Sequence, residues 1–337
     1  MRSNIKKLFI NGYGWTGSSA LVDYLLDFQN ISVIPNEFDD LRVPYGFIDK
    51  VKMRMNKIEG GYSRSFSTLA HFEPNNFNPI STRNKGNFFI LKMLLRALHL
   101  PIPFTKMWNR SFEYRKHFFF LFFKYLQESF VTKKYLRKVS RSLSVKDLKL
   151  LPSKWINAIS SIYAESNNVV CFDQALLIDN ALEYVDLLSD IFIIVVIRKP
   201  EKQFADILEE NVRFLHNYPW KVRYLFGVGE NDLIDIVKVF INSTSNRLDQ
   251  LILLKKKMKK KLLLIDFDDF LKSPEKELKR ISVNTGIKFQ KNKKINFNLE
   301  KSRERNRSLK IKNKAISKEV ASLNEKYYKL EKYSKEF

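Results

Sequence analysis

Hydrophobic positions along the chain fall into two regimes. In the first, short apolar runs of strand length end abruptly at polar or turn-forming residues. Leu8-Phe9-Ile10 stops at a glycine-rich stretch, and Ser19-Ala20-Leu21-Val22-Asp23-Tyr24-Leu25-Leu26 follows at helical spacing. Ile31-Ser32-Val33-Ile34 ends at Pro35-Asn36-Glu37, and Val169-Val170-Cys171-Phe172 leads to Asp173-Gln174. Ile191 to Ile197 is a continuous, mostly β-branched run that stops at Arg198-Lys199-Pro200, as expected of a central parallel strand buried on both faces. Lys261 to Asp266 is another such strand, followed by Asp268-Asp269-Phe270-Leu271 and a helix starting near Pro274. Strand, glycine loop and helix, then further strands separated by helical segments, predict an α/β fold: a P-loop-like central parallel sheet flanked by helices.

The second regime covers residues 45–165. Strand patterns are scarce there, and aromatic and basic residues are dense. Leu94, Leu95 and Leu98 form one apolar set, and Phe119, Phe122, Phe123 and Leu126 form another at the i, i+3, i+4, i+7 spacing of a helix face. This stretch, 45–165, reads as a large helical insertion within a single domain of 1–337, covering the ligand edge of the sheet and shaping the site there. The run Phe118 to Phe123, flanked by Lys116 and Lys124, is either a buried helix segment or a patch resting on a membrane surface. Residues 291–337 form a basic C-terminal segment, with ten Lys or Arg against two Glu between 291 and 314 and a helix expected near 317–334.

Composition narrows the function class. The chain has 337 residues, 45% hydrophobic and 14% aromatic, enough for a sizeable core. Its net charge of +24 admits a polyanionic partner: nucleic acid, a phosphorylated cofactor, an acidic glycan or an anionic membrane. One cysteine, Cys171, excludes an intramolecular disulfide, and its apolar neighbours make it a small core residue. The four histidines, His71, His99, His117 and His216, have no metal-ligand spacing, so no metal is expected. No apolar run reaches the roughly 20 residues of a membrane span.

The chemistry concentrates in Gly12-Tyr13-Gly14-Trp15-Thr16-Gly17-Ser18-Ser19. Gly12-x-x-x-x-Gly17-Ser18-Ser19 overlays the phosphate-loop pattern, with Ser18 where Lys belongs. Glycines let consecutive backbone N–H groups face one anion, and the following helix adds its unpaired donors and positive dipole end. Without the Lys that reaches a transferring phosphoryl group, ATP or GTP hydrolysis is a poor expectation.

Three stretches together resemble the sulfotransferase family that uses 3′-phosphoadenosine 5′-phosphosulfate (PAPS). Trp15-Thr16-Gly17-Ser18-Ser19 is similar to that family's 5′-phosphosulfate loop. Ile194 to Phe204, with Arg198-Lys199-Pro200, resembles its 3′-phosphate strand and helix. Leu264 to Pro274 resembles its later strand, acidic turn and Pro-initiated helix. The resemblance implies PAPS as co-substrate, no metal, and donor contacts from Gly14, Trp15, Thr16, Gly17, Ser18, Ser19 and Arg198. It also implies a catalytic base at Glu37, which follows the second strand where several branches of the family carry a Glu. The sequence departs from the family at two places: Trp15 stands where the loop carries Lys or Arg, and Asp206 stands where the helix carries Ser. Arg42, Lys92 or the tail Lys301-Ser302-Arg303-Glu304-Arg305-Asn306-Arg307 are candidates to supply the missing cation.

On this reading the chain moves a sulfuryl group to an acceptor hydroxyl, with a carbohydrate of the bacterial branch's type as the expected acceptor. Asp173-Gln174 either orients acceptor hydroxyls or caps a turn. The alternatives are an atypical P-loop kinase and a basic nucleic-acid-binding protein, although no zinc-finger, RRM or KH signature is present and a nucleic-acid partner is not expected. Lys- and Asn-rich composition with no signal core suggests a cytoplasmic bacterial enzyme, with peripheral contact at the inner face of the membrane as a further expectation.

Overall fold

The computed structural model of the chain describes residues 5–37, 47–59, 118–164, 168–214, 233–291 and 297–335. Five strands, β1 (Lys6–Asn11), β2 (Ile31–Glu37), β3 (Val169–Asp173), β4 (Ile191–Ile197) and β5 (Leu262–Asp266), form one all-parallel sheet in the order β2-β3-β1-β4-β5. The α/β expectation is met. All five apolar runs are strands, and β2 continues through Pro35 to Glu37 beyond the predicted stop. Pro35 lacks an N–H for a ladder, but β2 is an edge strand, where a proline is tolerated.

Alternation along the strands divides the core in two. Phe9, Phe172, Ile193, Val195 and Leu264 face one side, whereas Leu8, Ile10, Cys171, Ile194, Val196 and Ile265 face the other. This double burial is why the strands read as unbroken apolar runs. Burial raises the Cys171 thiol well above its usual pKa, in keeping with an inert core residue.

The second face is covered by α1 (Ser18–Leu25) and, after β5, by two later helices rich in buried apolar positions. The first face carries α2 (Phe47–Ile58), α3 (Phe118–Arg141) and α4 (Val145–Tyr163), which pack together with α4 against β2. Trp155 of α4 knits them. Its ring stacks on Phe47 of α2 at 4.5 Å, and its Nε1 donates to Thr132 Oγ1 of α3 at 3.1 Å. The described part of the expected insertion is thus helical. The set Leu94, Leu95 and Leu98 and all four histidines lie outside the described residues.

Further along come α5 (Ala181–Tyr184), α6 (Pro200–Phe214), α7 (Leu233–Met258), α8 (Phe267–Lys272), α9 (Pro274–Thr285), α10 (Leu299–Ser308), α11 (Lys314–Ala321) and α12 (Asn324–Lys335). The single C-terminal helix expected near 317–334 is two helices. Buried Leu323 turns inward at the break, and Asn324 bonds Glu201 Oε1 on α6 at 2.8 Å. No helix among the described residues is long and apolar enough to cross a membrane.

Asp266 ends β5 and caps α8, accepting the amides of Asp268 at 2.9 Å and Asp269 at 3.1 Å, and it also accepts the hydroxyl of Tyr327 from α12. Desolvation pushes its carboxyl up from 3.8 to about 6, against those donors. The folded chain therefore holds a proton where the unfolded chain has lost it. That contribution to stability is full below the unfolded pKa and is lost as pH rises through about 6. We expect the unfolding free energy of wild type, relative to Asp266→Asn, to fall by about 3 kcal/mol from acid to neutral pH. Urea unfolding at several pH values checks this; identical pH profiles for the two proteins would contradict it.

Candidate functional site

The C-terminal ends of the parallel strands converge on one edge. Asn11 of β1, Asp173 of β3, Glu37 of β2, Asp266 of β5 and Arg198 just after β4 all lie there. The strand order reverses at β1, so the loop leaving β1 opens at the crevice where ligands bind in open α/β sheets.

That loop is the predicted glycine-rich stretch, and its geometry explains its residues. Gly14 and Gly17 both have φ of 89°, the left-handed region that favours glycine. A Cβ on Gly17 would strike the Phe267 ring, and one on Gly12 would collide with Thr16 Oγ1 and lie 2.9 Å from Ser18 Oγ. Trp15 is also left-handed, at φ 49°. Its indole is partly buried against the hydrophobic core, so apolar packing stands where the sequence resemblance implies a basic side chain.

Three successive carbonyls of the loop are each held by a side chain from a different part of the chain. Tyr13 O accepts from Arg247 Nη1 at 3.3 Å, Gly14 O from Gln203 Nε2 at 2.5 Å, and Trp15 O from Arg198 Nη1 at 2.9 Å. Carbonyl and amide point in opposite directions across a trans peptide plane. The N–H groups of Gly14, Trp15 and Thr16 are therefore turned away from these three side chains. Gln174 closes the loop from β3: its Oε1 accepts the Gly12 amide at 3.2 Å, and its Nε2 donates to Ser18 Oγ. Gln174 of the dipeptide Asp173-Gln174 thus braces the loop. Ser18 is buried and Ser19, one residue further into α1, is exposed.

Arg198 sits at the centre of a buried network. Its guanidinium donates to Asp206 Oδ2 at 2.6 Å, to Asn306 Oδ1 at 2.7 Å and to the Trp15 carbonyl, and it lies 4.9 Å from the centre of the Phe267 ring. Asn306 Nδ2 in turn donates to Asp268 Oδ1 at 2.5 Å, and Lys202 Nζ donates to Asn306 O at 2.6 Å. Arg305 of α10 reaches the other oxygen of Asp206 at 2.6 Å. The expected helical Ser is therefore replaced by a carboxylate seated between two guanidinium groups.

Several buried polar atoms at this edge have no partner among the described residues: Thr16 Oγ1, Arg198 Nε and Gln203 Oε1. Such groups are rare in native interiors and mark places where a ligand or water completes the bonding. Thr16 Oγ1 and Arg198 Nε are donors that suit an anionic group, whereas Gln203 Oε1 is an acceptor and needs a donor such as water.

Other sequence-predicted residues are placed less closely. Glu37 is the last residue of β2, opposite Asp173 in register and two strand spacings, about 10 Å, from β1. Arg42 and Lys92 lie outside the described residues. The basic tail does reach the site, through Arg305 and Asn306. Arg247, Gln203 and Asn306 carried no distinguishing sequence signal for these contacts. Among the described residues no group of three or more His, Cys, Asp or Glu could hold a metal ion.

No family model and no curated protein matches the chain. Among solved structures it is similar to the sulfotransferase domain from the curacin biosynthetic pathway. The TM-score is 0.45 and the identity 10%, over 96% of this chain and 98% of that one. At that level no residue role is carried across, and the site stands on its own geometry.

The network makes a quantitative distinction. Asp206 has a side chain only 9% exposed and neutralises buried Arg198, whereas Arg305 is 48% exposed. Asp206→Ala should destabilise the fold by about 3–5 kcal/mol by stranding a buried charge. Arg305→Ala should cost no more than about 1 kcal/mol. Equal losses in urea unfolding would contradict this division.

Proposed function

We propose that the chain is a sulfotransferase that moves a sulfuryl group from PAPS to an acceptor hydroxyl. The observation that carries the reading is the glycine loop after β1, whose Tyr13, Gly14 and Trp15 carbonyls are held by Arg247, Gln203 and Arg198, which leaves the amides of the same peptide planes on the side away from those groups. Ser18, pinned by Gln174, stands where a triphosphate-hydrolysing loop carries its Lys, and this favours a donor whose transferring group is not a terminal phosphoryl.

On this reading the amides of Gly14 to Ser19 and the hydroxyls of Thr16, Ser18 and Ser19 hold the 5′-phosphosulfate. They also stabilise the charge that grows on the leaving phosphate. Arg198 offers its Nε, the guanidinium nitrogen without a protein partner among the described residues, to the donor. Arg305 supplies the partly exposed positive charge on the 3′-phosphate side, and Asp206 tempers it. Glu37 takes the proton from the acceptor hydroxyl as the S–O bond to the acceptor forms and the S–O bond to the donor phosphate breaks. The aromatic, basic stretch within 45–165 suits a carbohydrate acceptor, since aromatic rings stack on sugar faces.

Thermal stabilisation by the desulfated product (PAP), compared with ATP and GTP, tests the cofactor class. We expect PAP alone to raise the melting temperature; a shift with magnesium-ATP and none with PAP would replace the reading with a kinase. With a competent acceptor, Glu37→Gln should abolish turnover while PAP binding survives. Unchanged turnover would remove Glu37 from the mechanism.

A further inference from the structure

Helix α3 carries a surface against which none of the described residues packs and which the proposed site does not use. Phe130, Lys133, Lys134, Arg137, Lys138 and Arg141 recur at the spacing of one helix face and line an open trough of about 510 Å³. The opposite face is committed to the protein. Val139 is in the core, Tyr135 and Leu136 pack against it, and buried Glu128 accepts the hydroxyl of Tyr163 at 2.5 Å. The five cations of the stripe are exposed, and none has a carboxylate partner among the described residues. Lys138 instead lies 4.9 Å from the centre of the Tyr135 ring, leaving its charge uncompensated.

Large apolar side chains flank these charges. Phe130 is 71% exposed at one end of the stripe, and Leu143, just past the helix, is 84% exposed at the other. Eleven helical steps separate Phe130 from Arg141, about 16 Å, a length that reaches more than one lipid headgroup. Long basic side chains hold their charge at headgroup level while their stems lie along apolar surface, and exposed Phe and Leu gain by entering the acyl boundary. A phosphate backbone would satisfy the cations but offers nothing to Leu143.

We propose that this face of α3 docks the protein on an anionic phospholipid surface. The arrangement has the elements of interfacial binding: a basic stripe for the charged headgroups and an apolar side chain at each end for insertion. Helix α3 packs with α2 and α4, and α4 packs against β2, so the membrane would lie on the flank of the sheet that ends in Glu37. The proposal does not depend on the reaction assigned above.

The test uses the full chain with two kinds of vesicle, phosphatidylcholine alone and phosphatidylcholine mixed with phosphatidylglycerol. We expect sedimentation with the mixed vesicles only, weakened by salt. Lys134→Glu with Arg137→Glu should lower the partition coefficient by at least ~25-fold, since each cation near an anionic surface contributes roughly 5-fold. Phe130→Ser with Leu143→Ser should lower it further at high salt. All four positions are exposed, so the melting temperature should not change. Lys256→Glu with Lys260→Glu, on exposed positions of a different part of the chain, serves as the control for net charge and should leave most of the binding intact. An equal loss in that control would overturn the proposal. So would the absence of pelleting by wild type, or duplex DNA binding that depends on Lys134 and Arg137 without any vesicle binding.

Discussion

The buried guanidinium of Arg198 is the contact on which the rest of the ligand edge depends. Placed directly after the central strand β4, it ties the Trp15 carbonyl of the glycine loop, Asp206 of α6 and Asn306 of α10 to one planar group. Its face rests near the Phe267 ring, and that ring also closes against Gly17. A buried charge is tolerated only when it is paired and hydrogen-bonded. The carboxylate at Asp206 and the amide at Asn306 are therefore requirements of the same group. Two helices and the loop are fixed relative to the sheet by satisfying one side chain.

This arrangement also gives the loop its direction. Gly12 to Ser19 could adopt many conformations in isolation, because glycine permits both signs of φ. Arg247, Gln203 and Arg198 remove that freedom by holding three consecutive carbonyls, so the amides are oriented before any ligand arrives. Preorganised donors cost little reorganisation when charge develops, which is the basis of electrostatic stabilisation in a reaction that transfers a charged group. The same network accounts for two residues that differ from the pattern the sequence resembles. Trp15 packs on the core because its carbonyl, not its side chain, faces Arg198. Asp206 replaces a neutral hydroxyl because Arg198 and Arg305 both need a counter-charge.

Much of the sheet was legible in the sequence because both of its faces are covered, which turns each strand into an apolar run ended by a polar residue. The end of β2 was less so: Pro35 reads as a stop, yet an edge strand can carry it. The glycine loop and Arg198 were visible as residue types suited to anions at strand ends. Their partners were not, since Asn306 lies 108 residues from Arg198 and Trp15 lies 183 away, and only tertiary closure brings them together. The break between α11 and α12 escaped detection because helical periodicity continues across it while buried Leu323 bends the chain.

A loop backbone that is a preoriented anion cradle should show it in amide hydrogen exchange across residues 12–19: PAP should slow exchange at the Gly14 to Ser18 amides, and Arg198→Met should abolish this protection. Protection confined to other segments, or a loop whose exchange is indifferent to PAP while the ligand binds, would contradict the cradle.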